Sequence, residues 1–206
     1  MPAITVSASY GAGGSVVAPD VAARLGWPLV DRALSSAVAE QLRMPVDDAE
    51  RGGAQQSRLS RFLISLAPLA PQPLLPEDGP PDGDAAEVRA ATERLLEDSV
   101  RTGAVVLGRA GACALLGHRD VLRVRLYGDP AARTAQAARL EGVDAATAAA
   151  RLPTVDGARD AYVRRLYGRS ADDPSLYHLQ LDSTVLPLPV CAELVVQAYR
   201  ALAAGG

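Results

Sequence analysis

The chain contains no lysine, and all 21 of its basic residues are arginine. Any site for phosphate must therefore be built from guanidinium groups, backbone N–H groups and metal ions, because no ammonium group is available. The formal net charge is only -3, so the chain as a whole has no bulk attraction for nucleic acid polymers or anionic membranes. These features favour a small-molecule ligand over either polyanion.

Cysteine and long apolar runs are also scarce. Cys113 and Cys191 are too few and too far apart for a disulfide framework or a zinc site, and both lie in apolar stretches typical of buried thiols. No apolar run approaches the roughly 20 residues that a membrane span needs, and the first residues lack a signal-peptide pattern. We therefore expect a cytoplasmic protein.

What is present suits one α/β domain covering residues 1–206. The chain is 49% hydrophobic and long enough for a sizeable core. Short β-branched or apolar segments alternate with helical ones, which predicts a parallel sheet of about five strands with helices on both faces. The predicted strands are 3–7, 29–30, 104–107, 121–127 and 179–182. The predicted helices are 15–25, 32–42, 85–102, 110–116, 131–141, 144–152, 155–167 and 190–203.

Residues 44–84 differ in character from the rest of the chain. A short amphipathic helical pattern at 57–66 is followed by a stretch, 67–83, that is crowded with proline, glycine and aspartate. The segment is either a disordered spacer or an insertion that acts as a lid or binds an acceptor, and the composition fits both equally.

The sharpest signal is the glycine-rich loop between the first strand and the first helix, Ser9-Tyr-Gly-Ala-Gly-Gly-Ser15. A strand that runs through glycines into a helix brings backbone N–H groups and the positive end of a helix dipole to one point, which predicts an anion site. Aligned to G-x-x-x-x-G-K-[ST], Gly13 and Ser15 match, but Ala8 replaces the first glycine and Gly14 the lysine.

Two alternatives to a phosphate loop follow from the same residues. The turn could be a tight structural βα connection. A dinucleotide-binding G-x-G-x-x-G pattern is disfavoured, because Val16 stands where its third glycine belongs. If phosphate binds here, we expect a methyl group added at Gly13 to intrude on the phosphate and to impair binding more than folding.

Four motifs in order resemble the cytidylate kinase-like family of P-loop nucleoside-monophosphate kinases. They are the loop with the following Leu25-Gly-Trp-Pro-Leu-Val-Asp31, the strand 105–107 with Gly108-Arg109-Ala110, the strand 121–126, and the C-terminal signature Asp156-x-x-Arg159-x-x-Tyr162-Val-Arg164 with Tyr167-Gly168, Asp173 and Tyr177-His-Leu179. The resemblance spans most of the chain except residues 44–84. That family commonly lacks the loop lysine as well.

The resemblance implies transfer of a phosphoryl group from ATP, with Mg²⁺, to a nucleoside monophosphate of the CMP or dCMP type. ATP phosphates would bind at Gly11, Ala12, Gly13, Gly14 and Ser15, with Ser15 also on the metal. The acceptor would bind at Asp31, Arg109 and Asp156, with Asp31 in the metal shell as the other possibility. Asp31 has an equal alternative as a helix N-cap, and Arg109 a weaker one as part of a structural ion pair.

Catalytic arginines are implied at Arg159, Arg164 and Arg165, on a lid covering residues 153–175. The alternative for Arg164 is an i,i+4 pair with Asp160 on a solvated helix. With no loop lysine and no carboxylate near the end of the third strand, two other functions stay open. They are a nucleotide-binding regulatory module without turnover, and a kinase for a non-nucleotide metabolite.

Overall fold

The computed structural model describes residues 2–30, 82–108 and 110–205. Asp31, Arg109, the predicted helices 32–42 and 57–66, and most of the segment 44–84 lie outside the described residues. Among those described, no helix is both long and apolar enough to cross a membrane.

Five parallel strands form one sheet in the order β2-β3-β1-β4-β5. They are β1 Ala3–Ala8, β2 Leu29–Val30, β3 Ala104–Leu107, β4 Val121–Tyr127 and β5 Leu179–Asp182. Strand β1 is central, and Ala3 is in register with Ala104 on one side and Val121 on the other. The predicted strands and their parallel arrangement are confirmed.

Six α-helices and a 3₁₀ turn lie between and after these strands in the described residues. They are α1 Gly14–Leu25, α2 Asp82–Ser99, α3 Gly111–Ala114, α4 Pro130–Glu141, α5 Ala145–Tyr167, the 3₁₀ turn Pro174–Leu176 and α6 Leu188–Ala204. As predicted, Gly26 ends α1 in the left-handed conformation, and Asp129 caps α4 through its side chain.

Helices cover both faces of the sheet, as the alternating pattern predicts. On one face α1 and α6 pack on β1 and β4 around Val17, Val21 and Val195. On the other face α2 packs through Leu96 and Val100. Fully buried Val, Leu and Ile side chains on both faces hold the carboxyl ends of β1, β3 and β4 along one edge of the sheet.

One boundary prediction is wrong. Residues 144–152 and 155–167 form the single helix α5, which continues through Pro153. Because proline has no N–H group, the Ala149 carbonyl loses its helical donor. Pro153 and Ala149 are both exposed, so water can donate to that carbonyl instead. Ala148 before the proline and Tyr162 after it are buried, and this packing at both ends keeps the helix continuous.

Two smaller differences concern helix ends. Helix α2 begins and ends three residues earlier than predicted, and Gly103, expected as its stop, lies in the turn before β3 with φ 98. Helix α3 is shorter than the predicted 110–116, because Ala110 takes the left-handed N-cap position and Leu115 the C-cap.

Candidate phosphate-binding site

The loop between β1 and α1, residues 9–13, lies at the carboxyl edge of the central strand. Gly13 is the N-cap of α1 with φ 73, and no side chain caps the helix. The first N–H groups of a helix have no intrahelical acceptor. The start of α1 therefore keeps its donors and its positive dipole end available.

Every backbone carbonyl from Ala8 to Gly13 accepts a hydrogen bond from the protein. The donors are Arg159 Nη1 to Ala8 (2.8 Å), Ala12 N–H to Ser9 (3.0 Å), Arg133 Nη1 to Tyr10 (2.9 Å), Gln136 Nε2 to Gly11 (3.0 Å), Ser183 Oγ to Ala12 (2.7 Å), and the N–H groups of Val16 and Val17 to Gly13 (both 3.0 Å). The acceptor side of the loop is therefore fully used by the fold.

The donor side differs. Among the residues that the structure describes, the N–H groups of Gly11, Gly13, Gly14 and Ser15 have no protein acceptor. Four free donors together with a helix dipole, on a loop whose carbonyls are all engaged, are the features that favour binding of an anion. The anion site stays a prediction, and these free N–H groups are the donors that it would use.

Asp156, predicted to bind substrate, lies against this loop. One carboxylate oxygen accepts from the Tyr10 N–H at 2.6 Å, and the other from Arg133 Nη1 at 2.6 Å. Tyr10 is further held by its hydroxyl, which donates to Glu141 at 2.8 Å. In this arrangement Asp156 supports the loop from behind.

Arg159, the first predicted catalytic arginine, reaches the same edge from α5. Its bond to the Ala8 carbonyl places its guanidinium group at the end of β1, and burial lowers its pKa against the opposing effect of Asp156. Arg125 of β4 lies close by: it donates to Ser9 Oγ at 2.9 Å and also pairs with Asp172. Two positive charges therefore flank the start of the loop.

The other two predicted catalytic arginines are placed differently. Arg164 Nε is 2.5 Å from Asp160 Oδ2 in an exposed i,i+4 pair, which is the alternative that the spacing left open, and this pair raises its pKa. Arg165 is partly buried one residue further along α5. Arg159 is thus in contact with the loop, whereas Arg164 is paired on the surface of its helix.

Ser15, predicted for the metal, is exposed in the first turn of α1. Within the described ranges its hydroxyl makes no hydrogen bond, and no group of three His, Cys, Asp or Glu side chains could hold a metal ion. Asp31 and Arg109 each follow a residue described near this edge, Val30 and Gly108, but lie outside the described residues themselves.

The model of the cytidylate kinase-like family matches residues 3–185. The chain belongs to this family. A search of curated proteins found no significant match. The match covers the loop and both strands that flank β1, and it confirms the resemblance carried by the four sequence motifs.

Solved structures share the fold of this family member. An uncharacterized protein from Eubacterium ventriosum has a TM-score of 0.68 at 16% identity, covering 98% of this chain and 99% of that one. A gluconokinase from Sinorhizobium meliloti has a TM-score of 0.53 at 16% identity, covering 99% and 94%. The fold is that of P-loop kinases.

This cytidylate kinase-like chain departs from the P-loop motif at Ala8 and Gly14, and these two residues are neighbours in the structure. A Cβ at Gly14 would lie 2.7 Å from the Cβ of Ala8 and 3.3 Å from Leu107 Cδ1. Ala8 therefore occupies the space from which a side chain at position 14 would extend. A lysine at position 14 would therefore require Ala8 to shift.

The expected role of Gly13 needs correction. A Cβ built there would lie 2.5 Å from Leu188 Cδ2, inside the fold, where α6 packs against the loop. The methyl group of Gly13→Ala would thus meet α6 and would also require a left-handed φ. The expectation that it intrudes on phosphate more than on folding is wrong.

Three residues that hold the loop were not found by sequence reasoning: Arg133, Gln136 and Ser183. Arg133 and Gln136 lie one turn apart in α4, so the pair of long polar side chains on one face of an alanine-rich helix was a usable signal. Ser183 directly follows β5 at the carboxyl edge of the sheet, where ligand-related residues of such folds lie.

Proposed function

We propose that this protein transfers the γ-phosphoryl group of ATP to a small acceptor, with CMP or dCMP the leading candidate. The observation that carries the proposal is the four N–H groups of the β1–α1 loop that have no acceptor in the described part of the chain. Membership of the cytidylate kinase-like family supports a nucleotide as acceptor.

In the proposed reaction, an oxygen of the acceptor attacks the γ-phosphorus, and the bond to the β–γ bridging oxygen breaks. That oxygen leaves with ADP. A monophosphate acceptor is already ionised near neutral pH, so no side chain has to remove a proton. Such a transfer depends mainly on positioning the phosphates and neutralising their charge.

Charge neutralisation would come from the loop donors and from arginine. The N–H groups of Gly11, Gly13, Gly14 and Ser15 would hold the donor phosphates. Arg159 and Arg125, which flank the loop start, would stabilise the charge on the moving phosphoryl group. Arg164, Arg165 and Asp156 remain predictions from the resemblance, with the contacts of Asp156 favouring support of the loop.

Mg²⁺ would share the neutralisation of the ATP phosphates. The exposed Ser15 hydroxyl at the N-terminus of α1 fits one ligand position for it, and phosphate oxygens and water fit the others.

The test is a transfer screen of the purified protein with ATP, Mg²⁺ and a panel of acceptors: CMP, dCMP, other nucleoside monophosphates, and sugar acids such as gluconate. Transfer to CMP or dCMP supports the proposal. Transfer only to a non-nucleotide would replace the acceptor, and ATP binding without transfer to any acceptor would make the protein a regulatory module.

A further inference from the structure

The buried polar groups behind the loop control the direction in which its donors point. In a trans peptide the C=O and N–H groups point in opposite directions, and no cis peptide occurs in the described residues. Ser183 Oγ donates to the Ala12 carbonyl at 2.7 Å. The N–H of Gly13, in the same peptide unit, therefore points away from Ser183 and out of the fold.

Gln136 acts in the same way on the preceding peptide. Its Nε2 donates to the Gly11 carbonyl at 3.0 Å and to the Ser183 carbonyl at 3.2 Å. The N–H of Ala12 then faces the Ser9 carbonyl and closes the turn at 3.0 Å. Gln136 therefore sets the loop curvature and also ties the Ser183 backbone to the loop.

These restraints matter because the loop contains glycines. Gly11 and Gly13 both have positive φ, and glycine tolerates many backbone conformations. Without its donor, the Ala12 carbonyl could turn toward the site, which would direct the negative end of a peptide dipole at the phosphate and withdraw the Gly13 N–H.

We infer that Ser183 and Gln136 are positioning residues for the phosphate site. Both are buried, at 1% and 7% exposure, and each donates to a loop carbonyl. Each also has a second acceptor outside the loop: the Tyr127 carbonyl at 3.2 Å for Ser183 Oγ, and the Ser183 carbonyl at 3.2 Å for Gln136 Nε2. This inference rests on the proposed function, since it assigns their role to the same phosphate site.

The experiment compares Ser183→Ala and Gln136→Met with the wild-type protein. Both changes remove a donor at nearly constant size. Binding of inorganic pyrophosphate and of a non-hydrolysable ATP analogue is measured by calorimetry, and Tm is measured on the same samples. The matched control is Thr134→Ala in α4, which removes an exposed hydroxyl that donates to the Pro130 carbonyl at 2.8 Å, away from the loop.

We expect each variant to bind pyrophosphate at least about tenfold more weakly than the control, because a hydrogen bond to a charged group is lost or misdirected. The loss should persist at temperatures where circular dichroism shows every sample fully folded. A merely structural role would lower Tm and leave the affinity of the folded protein unchanged, and that result would overturn the inference.

Failure of the inference is separable from failure of the proposed function. Unchanged affinity in both variants, with transfer activity in the wild type, would overturn only the positioning role. A wild-type protein that binds neither pyrophosphate nor the ATP analogue would overturn the phosphate site and, with it, the inference.

Discussion

Arginines inside this protein and arginines on its surface have different partners. The interior residues Arg123, Arg133 and Arg159 donate to backbone carbonyls far away in sequence. The surface residues Arg24 and Arg164 pair instead with an aspartate four positions earlier on the same helix. The interior set thus connects segments that are distant in sequence, whereas the surface set makes ion pairs within one helix.

The interior arginines show how a chain without lysine can use one buried cation to hold several acceptors. A guanidinium group has five donors in a planar arrangement and stays charged when it is buried. Arg133 uses this to bind the carbonyls of Gly128 and Tyr10 and the carboxylate of Asp156 at once. An ammonium group could not reach these three positions with the same geometry.

The largest expected effect is on catalysis. We expect Arg159→Ala to lower kcat by about 10²–10³-fold, as for the loss of one electrostatic donor to a transition state, with ATP affinity largely kept. Arg159→Lys should restore only part of the rate. Arg24→Ala is the surface control and should leave kcat unchanged. Equal kcat values for Arg159→Ala and Arg24→Ala in steady-state assays would contradict the distinction between interior and surface arginines.

Buried and surface glycines offer a second contrast. Gly13→Ala should lower the free energy of unfolding by about 2–5 kcal/mol, through a left-handed φ and the collision with Leu188. Gly142 has a similar φ of 68, but nothing lies within 4 Å of its Cβ position, so Gly142→Ala isolates the backbone cost. Urea unfolding that gives both variants the same loss would contradict the packing argument.

The contact between Ala8 and position 14 can be tested by a double-mutant cycle. Gly14→Lys alone should destabilise the protein by about 1–3 kcal/mol through overpacking against Ala8. Adding Ala8→Gly should recover part of this loss, with a coupling of about 0.5–3 kcal/mol between the two changes. Strictly additive free energies of unfolding would show that the two positions do not compete for space.

The smallest expected effect concerns pH. His178 accepts from the Arg123 N–H, and burial together with the Arg123 charge lowers its pKa below 6.5. As the pH decreases, His178 therefore takes up its proton in the unfolded state before it does so in the folded state. The contribution of His178 to the free energy of unfolding should be complete above about pH 6.5 and fall below it. Urea midpoints from pH 7.5 to 5.5 should depend less on pH in His178→Gln. His118→Gln is the control, and an identical pH dependence in His178→Gln and the wild type would refute the assignment.

Much of this fold could be predicted because its signals are local. The apolar strands and the helix caps at Gly26 and Asp129 follow from neighbouring residues alone. The position of the glycine loop, between the central strand and the first helix, was found in the same way. The predicted helix break at Pro153 was wrong, because packing at both ends of α5 outweighs the local effect of the proline.

The residues that donate hydrogen bonds to the loop carbonyls could not be predicted from neighbouring residues. Ser183 and Gln136 meet the loop only through the order of the strands, and their residue types are common in any protein. The collision between Gly13 and Leu188 likewise depends on how α6 packs. Local sequence identifies the loop, whereas tertiary packing decides which of its atoms face the ligand.

The hydrogen bonds behind the loop also have a consequence for the order of folding. Ser183 lies 171 positions from Ala12, and Arg159 lies 151 positions from Ala8. Contacts this distant carry a high loop-closure cost and form late. The loop geometry is completed only when β5 docks, because Ser183 directly follows that strand. A phosphate ligand that recognises the finished loop therefore stabilises the whole domain by mass action, and its binding reports on the last steps of folding.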